Sequence, residues 1–247
     1  MSAGRELRVL PVADLPEFAE GMSIGEEIAA RAELADGDVV VVSQKVVSKA
    51  EGRVVPLSAA IPGAEARRLG AVLGKEPALV ELILAESRAV LRAERGVLIV
   101  ETHHGFVCAN AGIDVSNAEP DTAILLPENP DASARALQSQ LAAAFATHVG
   151  VIISDTFGRA WREGLVNVAL GVAGIAPLID YRGRTDANGK ILQATIIAVA
   201  DEMASAAELI MGKADRIPVA IVRGARLGTR SGSGEDLIRT ADKDLFR

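Results

Sequence analysis

Polar and charged residues follow one short apolar run near the middle of the chain. Residues 149–153 have the composition of a buried strand. The residues after it are Ser154, Asp155, Thr156, Arg159 and Arg162. Side chains from several elements converge where buried strands end, so this cluster is a candidate functional site. An isolated Asp-Thr pair more often caps a turn or helix. A chemical role for Asp155 and Thr156 is therefore supported only if a second carboxylate occurs in a similar setting.

Asp114 is that second carboxylate. It follows Ala109, Ala111 and Gly112, whose small side chains allow another group to approach the backbone closely. Asp114 and Asn117 are predicted to lie in a turn. The neighbouring His103 and His104 do not have the spacing of zinc ligands, and we interpret them as structural residues or as residues that support a ligand-binding side chain.

Two groups of cations could meet an anionic ligand. Lys45, Lys49 and Arg53 are four residues apart, so they share one face of a helix and stay aligned in an extended segment. A solvated charged face and an anion-binding surface both fit this pattern. Residues 181–190 form a polar, Gly-rich loop that contains Arg182 and Arg184 and is predicted to cover an anionic substrate.

Several common catalytic patterns are absent from the sequence. It has no GxxxxGK[ST] loop, no GxGxxG and no G-x-S-x-G turn, which argues against a P-loop NTPase, a Rossmann dinucleotide binder and a serine hydrolase. The one cysteine, Cys108, lies in an apolar run and is interpreted as buried packing.

The elements that must position these residues follow from periodicity and turn residues. Strands are predicted at 5–12, 39–43, 97–100, 123–126, 149–153 and 218–222, and 191–200 reads as a strand running into a helix. Helices are predicted at 23–34, two or three times within 57–95, at 131–147, at 201–211 and near 235–239, with Ser23 and Asp131 as N-caps. The glycines of 171–174 argue against a helix there and indicate close packing or a ligand-facing backbone. Together these elements predict an α+β fold of mixed sheets with flanking helices, in a single domain of two lobes, and neither Rossmann nor P-loop.

Composition limits the class of protein. With 247 residues, of which 49% are hydrophobic and 24% charged, the chain can bury a substantial core. A net charge of -7 and 3% aromatic residues argue against general binding of nucleic acid or of anionic membranes. One cysteine and no recognisable leader or spanning segment predict a soluble, cytoplasmic protein.

Three segments in the same order resemble one enzyme family. SQKVVSKAEGR, GFVCANAGIDVSN and SDTFGRAWREG are similar to segments of the coenzyme F420:L-glutamate ligase family, also called F420-0:γ-glutamyl ligase. The resemblance extends from residues 15–18 to residues 212–224. A similar domain forms the amino-terminal half of a bifunctional actinobacterial protein, so the chain is expected to be either a stand-alone ligase or one domain of a longer protein.

This resemblance implies an activity and its cofactors. The family is expected to add L-glutamate to the lactyl phosphate-linked tail of F420-0 and to extend it through γ-linkages, using GTP with Mg²⁺ or Mn²⁺. A monovalent cation is a further candidate cofactor, and the resemblance implies a homodimer. Phosphoryl transfer to a carboxylate requires positioning, oxygen ligands for a hard cation and basic side chains, but no side-chain nucleophile.

The resemblance also assigns residues. It implies that Asp114 and Asp155 hold a divalent metal, with Thr156 at a second metal. The residues expected to contact GTP are Leu15, Pro16, Glu17, Phe18, Gln44, Lys49, Asn117, Met211 and Gly212. Asp114, Asp155 and Arg159 are the candidate catalytic residues, and Arg162, Arg182 and Arg184 are the candidate substrate-binding residues. Family members can carry an acidic or amide side chain where Lys213 stands, which leaves its role open.

Two alternatives remain at the level of sequence. One is a nucleotide- and metal-dependent ligase or phosphotransferase that acts on another carboxylate or phosphate. The other is a nucleotide-binding module without turnover. An assay of GTP consumption that requires both L-glutamate and F420-0 would separate the three functions.

Overall fold

A computed structural model describes residues 6–116, 119–228 and 230–245 of the chain. The strands are β1 Arg8–Pro11, β2 Val39–Ser43, β3 Val54–Pro56, β4 Ser87–Glu94, β5 Val97–Thr102, β6 Val107–Ala109, β7 Thr122–Ile124, β8 Gly150–Arg159, β9 Arg162–Ala173, β10 Ile179–Asp180, β11 Ile196–Ile197 and β12 Val219–Arg223. The α-helices are α1 Ile24–Ala29, α2 Gln44–Ala50, α3 Ala64–Leu73, α4 Pro77–Ala85, α5 Pro130–Phe145 and α6 Val199–Met211. Short 3₁₀ turns lie at Leu57–Ala59, Asn110–Gly112, Gly234–Leu237 and Ala241–Lys243.

A mixed five-stranded sheet with the order β1-β12-β2-β8-β9 carries the candidate site. Strands β2 and β8 are parallel, and the other neighbours in this sheet are antiparallel. The register places Ser43 beside Ser154, so α2 begins next to the polar part of β8. Two distant parts of the sequence therefore meet at one position of the sheet.

Helices cover both faces of this sheet, because side chains alternate between the faces of a strand. On one face Val40 and Val42 pack with α1 and α5, and on the other face Val39 and Val41 pack with α6. All four valines are fully buried. This explains why residues 39–42 form an uninterrupted apolar run and do not alternate with polar residues.

A third hydrophobic cluster lies around the sheet β4-β5-β6, with α3 and α4 packed against it. Residues 57–95 were predicted to contain helices only. This prediction was wrong for the last part of the segment, because Ser87–Glu94 forms the strand β4. This strand pairs antiparallel with β5 through a turn in which Arg95 and Gly96 have positive φ angles of 53° and 74°. Such a turn is typical of tight hairpins, but Asn-Gly signals it more clearly than Arg-Gly.

The predicted strand at 149–153 does not end at Ser154. Strand β8 continues to Arg159, since Asp155 and Thr156 pair with Val168 and Asn167 of β9. The candidate site therefore lies within a long hairpin, and only β2 ends beside it. Likewise, the predicted strand at 191–200 contains only the two-residue β11.

The predicted N-cap of α5 also differs. Asn129 caps this helix, because its side-chain oxygen accepts a hydrogen bond from the Ala132 N–H at 2.9 Å. The carboxylate of Asp131 instead accepts hydrogen bonds from the backbone N–H of Val172 at 2.8 Å and of Gly234 at 2.6 Å. Asp131 thus joins α5, β9 and the carboxyl-terminal segment.

The prediction of an α+β fold with mixed sheets, neither Rossmann nor P-loop, is confirmed. The predicted helices at 23–34 and 201–211 correspond to the shorter α1 and the longer α6, and Ser23 is the N-cap of α1. The single domain and its two lobes stay predictions. Within the described residues, no helix is both long and apolar enough to cross a membrane.

Candidate functional site

The first carboxylate, Asp114, is fixed by its backbone and by a lysine. Its N–H and C=O pair with Ile124 at 3.0 and 2.8 Å. One side-chain oxygen accepts a hydrogen bond from the Ser116 N–H at 2.6 Å, and the other forms an ion pair with Lys45. Burial favours a higher pKa for Asp114, but the hydrogen bonds from Lys45 and Ser116 outweigh it and lower the pKa. Asp114 is therefore an anion held in place by a cation of α2.

The second carboxylate, Asp155, is partly buried in β8. Burial, and to a smaller extent the negative charge of Asp114, raise the pKa of Asp155 to a net value of about 6. A backbone hydrogen bond from Thr156 and the positive charges of Lys213 and Lys45 act in the opposite direction. The two carboxylates thus lie near enough to interact, and Asp155 is an incompletely neutralised anion at neutral pH.

Thr156 belongs to a closed ring of polar side chains. The ammonium group of Lys213 donates a hydrogen bond to the Thr156 hydroxyl, which donates to Asn167 Oδ1 at 2.7 Å. Asn167 Nδ2 donates to Glu208 Oε2 at 3.0 Å, and Glu208 Oε1 lies 3.7 Å from Lys213 Nζ. The ring joins β8, β9 and the end of α6.

The segment predicted to contact GTP lies beside α2. Lys49 forms an ion pair with Glu17, so the structure brings these two candidates together. Phe18 is buried in the core beside α1. Of the other candidates, Leu15 and Pro16 are partly buried, Met211 is buried and Gly212 follows α6, directly before Lys213. Asn117 lies outside the described residues.

Two buried polar atoms lie where β2 and β8 meet. Gln44 is fully buried, and its Oε1 accepts a hydrogen bond from the Ser48 hydroxyl at 2.9 Å. Its Nε2 and the buried Ser154 hydroxyl have no hydrogen-bond partner among the described residues. Because unpaired buried polar groups are rare, these atoms are suited to meet a ligand.

Among the described residues, none of the candidate arginines forms an ion pair or hydrogen bond with Asp114 or Asp155. Arg159 and Arg162 flank the turn of the β8–β9 hairpin, where Arg159 donates to the Glu163 carbonyl and Trp161 is 80% exposed. Arg182 pairs with Asp180 at 2.6 Å, and the guanidinium of Arg184 lies over the Tyr181 ring, 5.1 Å from its centroid. In the part of the chain that the structure describes, these contacts keep Arg182 and Arg184 within the β10–β11 segment.

The cationic face of α2 is paired with acidic residues. Lys45 contacts Asp114 and Lys49 contacts Glu17. Arg53, beyond the end of α2, pairs with Glu86 at 2.8 Å. The sequence identified the cations, and the structure shows that Lys45 and Lys49 pair with acidic residues of two different segments.

The oxygen ligands fit one divalent ion better than two. Within residues 6–116, 119–228 and 230–245, no group of three or more His, Cys, Asp or Glu side chains is placed to hold a metal. Mg²⁺ is commonly held by one or two carboxylates, with water and substrate phosphates completing its shell. Asp114 and Asp155 meet that requirement. At Thr156 the hydroxyl already accepts a hydrogen bond from an ammonium group.

Two residues of the site were missed in the sequence. Asn167 is surrounded by apolar residues of β9, and Glu208 lies on an otherwise largely apolar helix. A polar residue inside an apolar run was the available signal, but it carries no information about its partner.

Comparison with known proteins identifies relatives over nearly the whole chain. The sequence model described as F420-0:Gamma-glutamyl ligase matches residues 13–224. A protein of Methanocaldococcus jannaschii is 43% identical over 236 residues, which cover 95% of this chain and 94% of the relative. A protein of Methanopyrus kandleri is 44% identical over 246 residues and 98% of both chains, and one of Methanothermobacter thermautotrophicus is 46% identical over 218 residues, 87% of this chain and 86% of the relative. Each of the three is named coenzyme F420:L-glutamate ligase.

Proposed function

Because the chain belongs to the F420-0:Gamma-glutamyl ligase family, whose members form amide bonds, we propose that it adds L-glutamate to coenzyme F420-0 at the expense of GTP. Extension of the product through γ-linkages, a need for Mg²⁺ or Mn²⁺ and assembly as a homodimer are part of the same proposal.

One observation carries the proposal beyond the family match. The structure collects two carboxylates, Asp114 and Asp155, and two lysines, Lys45 and Lys213, where β2 ends beside β8. A carboxylate pair suits a hard divalent cation, and ammonium groups suit phosphate oxygens. Such a set fits transfer of a phosphoryl group better than it fits acid–base or nucleophilic catalysis.

The chemistry follows from the weakness of a carboxylate as an electrophile. In the proposed reaction, a carboxylate oxygen of F420-0 attacks the γ-phosphorus of GTP and GDP leaves. The neutral amine of L-glutamate then attacks the acyl carbon, phosphate leaves and the amine loses a proton. Every bond is made between substrates, so the protein must position them, neutralise charge and exclude water.

The side chains divide these tasks. Asp114 and Asp155 would hold the divalent cation, which supplies charge neutralisation at the phosphates. Lys49, released from Glu17, would contact nucleotide phosphate oxygens, and the buried Gln44 amide offers a donor that has no partner among the described residues. The anionic tail of the acceptor would be bound by Arg159 and Arg162 of the β8–β9 hairpin, together with Arg182 and Arg184 of the β10–β11 segment.

The test is a reconstituted reaction with purified protein, F420-0, L-glutamate, GTP and Mg²⁺. We expect GDP release that requires both F420-0 and L-glutamate, and a product heavier by one or more glutamyl residues in mass spectrometry. GTP hydrolysis without glutamate transfer, or transfer to a different carboxylate only, would indicate another ligase or phosphotransferase. Binding of GTP without turnover under all conditions would indicate a nucleotide-binding module.

The homodimer needs a separate test, because the activity assay does not report the oligomeric state. Analytical ultracentrifugation should give twice the mass of the 25.7 kDa chain. A monomer at concentrations where the enzyme is fully active would contradict this part of the proposal.

A further inference from the structure

Lys213 lies at the position where a second metal ion would meet Thr156. Its ammonium group donates to the Thr156 hydroxyl and faces Glu208 Oε1 at 3.7 Å. The Thr156 hydroxyl uses its single proton to bond Asn167. The hydrogen-bonding capacity of this hydroxyl is thus largely satisfied by side chains of the protein itself.

Charge and chemistry both disfavour a second divalent ion at this position. A protonated lysine has three donors and no lone pair, so it cannot coordinate a metal. A second ion near Thr156 would also lie beside the ammonium charge, and the carboxylate of the ring, Glu208, already faces Lys213. By contrast, Asp114 and Asp155 offer carboxylate oxygens: Asp114 forms an ion pair with Lys45, and Asp155 feels the charges of Lys213 and Lys45 but forms no ion pair among the described residues.

We propose that this protein uses one divalent cation, held by Asp114 and Asp155, and that the ammonium group of Lys213 replaces a second one. This inference rests on the proposed function for the first cation, whereas the absence of a second ion follows from the contacts of Lys213. Lys213 is 65% exposed, so its ammonium group can turn from Thr156 to an anionic oxygen of a substrate. It then supplies a positive charge near the first ion that does not depend on the metal concentration.

The number of bound ions gives a direct test. Mn²⁺ is titrated into the protein with a non-hydrolysable GTP analogue, and free Mn²⁺ is counted by electron paramagnetic resonance. We expect one ion per chain and the spectrum of an isolated Mn²⁺. Two ions about 4 Å apart would give an exchange-coupled spectrum instead. Two coupled ions in the unaltered protein would overturn the inference but leave the proposed function intact, and no bound ion would refute the metal part of the proposed function.

Variants at position 213 make the test sharper. Lys213→Glu and Lys213→Gln each remove the ammonium group and provide an oxygen ligand, so they should gain a second, exchange-coupled Mn²⁺. Lys213→Met removes the charge without adding a ligand, so it should keep one ion while kcat falls about 10- to 1000-fold. Because this side chain is largely exposed, the substitutions should leave the melting temperature close to that of the unaltered protein.

The control Lys75→Glu, in the turn between α3 and α4, has the same change of charge as Lys213→Glu. It should bind one ion and keep full activity. If Lys213→Glu and Lys213→Gln also bind only one ion, Thr156 is not a cation position and the inference fails. It fails too if Lys213→Met retains the kcat of the unaltered protein.

Discussion

Asp155 is placed where its ionised form is poorly stabilised without ligands. Its pKa is about 6 in the folded protein, against 3.8 for an unperturbed Asp, so between these pH values the folded state binds more protons than the unfolded state. The contribution of this group to stability therefore falls as pH rises from about 4 to 6. A cation that binds to Asp155 would reverse this penalty, so the site is prepared for a positive ligand.

Substitution of the two carboxylates should change stability in opposite directions. Asp155→Asn removes the ionisation penalty, so the ligand-free protein at pH 8 should gain about 1 to 3 kcal/mol in the free energy of unfolding. Asp114→Asn should lose stability at the same pH, because the pKa of Asp114 is lowered and its charge is stabilising above that pKa. Urea denaturation measures both changes, and both variants should lose most ligase activity. A destabilised Asp155→Asn protein at pH 8 would show that the carboxylate has a structural role.

Lys49 and Glu17 allow a paired test of the nucleotide contact. Lys49→Ala should raise the GTP KM by about 10- to 1000-fold, since one charge-assisted contact is lost. Glu17→Gln should leave the GTP KM equal or lower, because it removes the negative charge that pairs with Lys49 in the ligand-free protein. Steady-state kinetics at low salt measures both, with Arg184→Ala as a variant expected to change the F420-0 or glutamate KM instead. Equal, small effects of Lys49→Ala and Glu17→Gln on the GTP KM would mean that the pair is only a surface ion pair.

At this scale the sequence located the residues but not their partners. Residue types and order selected Asp114 and Asp155 and pointed to a cationic segment that includes Lys45, and the structure brings these three side chains together. Asn167 and Glu208 could not be identified from the sequence, because a ring of hydrogen bonds and one ion pair between three elements depends on the fold and not on local spacing.

At the scale of elements, the contact between β9 and the start of α5 sets the position of the hairpin. The glycine content of 171–174 predicted close packing or a ligand-facing backbone, and at Gly171 the structure shows close packing. A Cβ atom there would lie 2.1 Å from the Pro130 carbonyl oxygen. The neighbouring Asp131 also bonds Val172, so both contacts fix the same junction.

Gly171→Ala should therefore destabilise the protein by about 1 to 3 kcal/mol, because a backbone atom must move to admit the methyl group. The matched control is Gly158→Ala in β8, where an added Cβ would meet only Leu165, at 3.9 Å. It should change stability by less than about 1 kcal/mol. Thermal or urea unfolding of both variants measures the difference, and equal stabilities would show that the junction adapts easily.

Element boundaries were less predictable than element types. Residues 39–43 were predicted at their observed limits, since an apolar β-branched run has few alternatives. Ser87–Glu94 has a composition compatible with a helix and becomes a strand through pairing with β5. Strand β8 continues through polar residues because β9 supplies their backbone partners, which no local pattern records.

At the scale of the whole molecule, the net charge of -7 opposes the approach of an anionic nucleotide. The attraction must therefore come from lysines close to the bound phosphates. Salt screens such short-range contacts less than it screens repulsion between distant charges. Increasing the salt from about 0.01 to 0.1 M, at constant free Mg²⁺, should therefore raise the GTP KM by less than about threefold. In Lys49→Ala, KM should fall with salt, because the distant repulsion then dominates. A steep rise for the unaltered enzyme would mean that exposed cations attract the nucleotide over a long range.

The turn of the β8–β9 hairpin contains Trp161, which is the only tryptophan of the 247 residues and is 80% exposed. Indole emission from this protein therefore comes from a single location, between Arg159 and Arg162, two residues proposed to meet the acceptor. The enzyme thus contains an intrinsic fluorescent probe at the hairpin tip, and Trp161→Phe provides its blank. Stopped-flow emission can time the covering of this tip by F420-0 separately from the arrival of GTP at α2, without any added label.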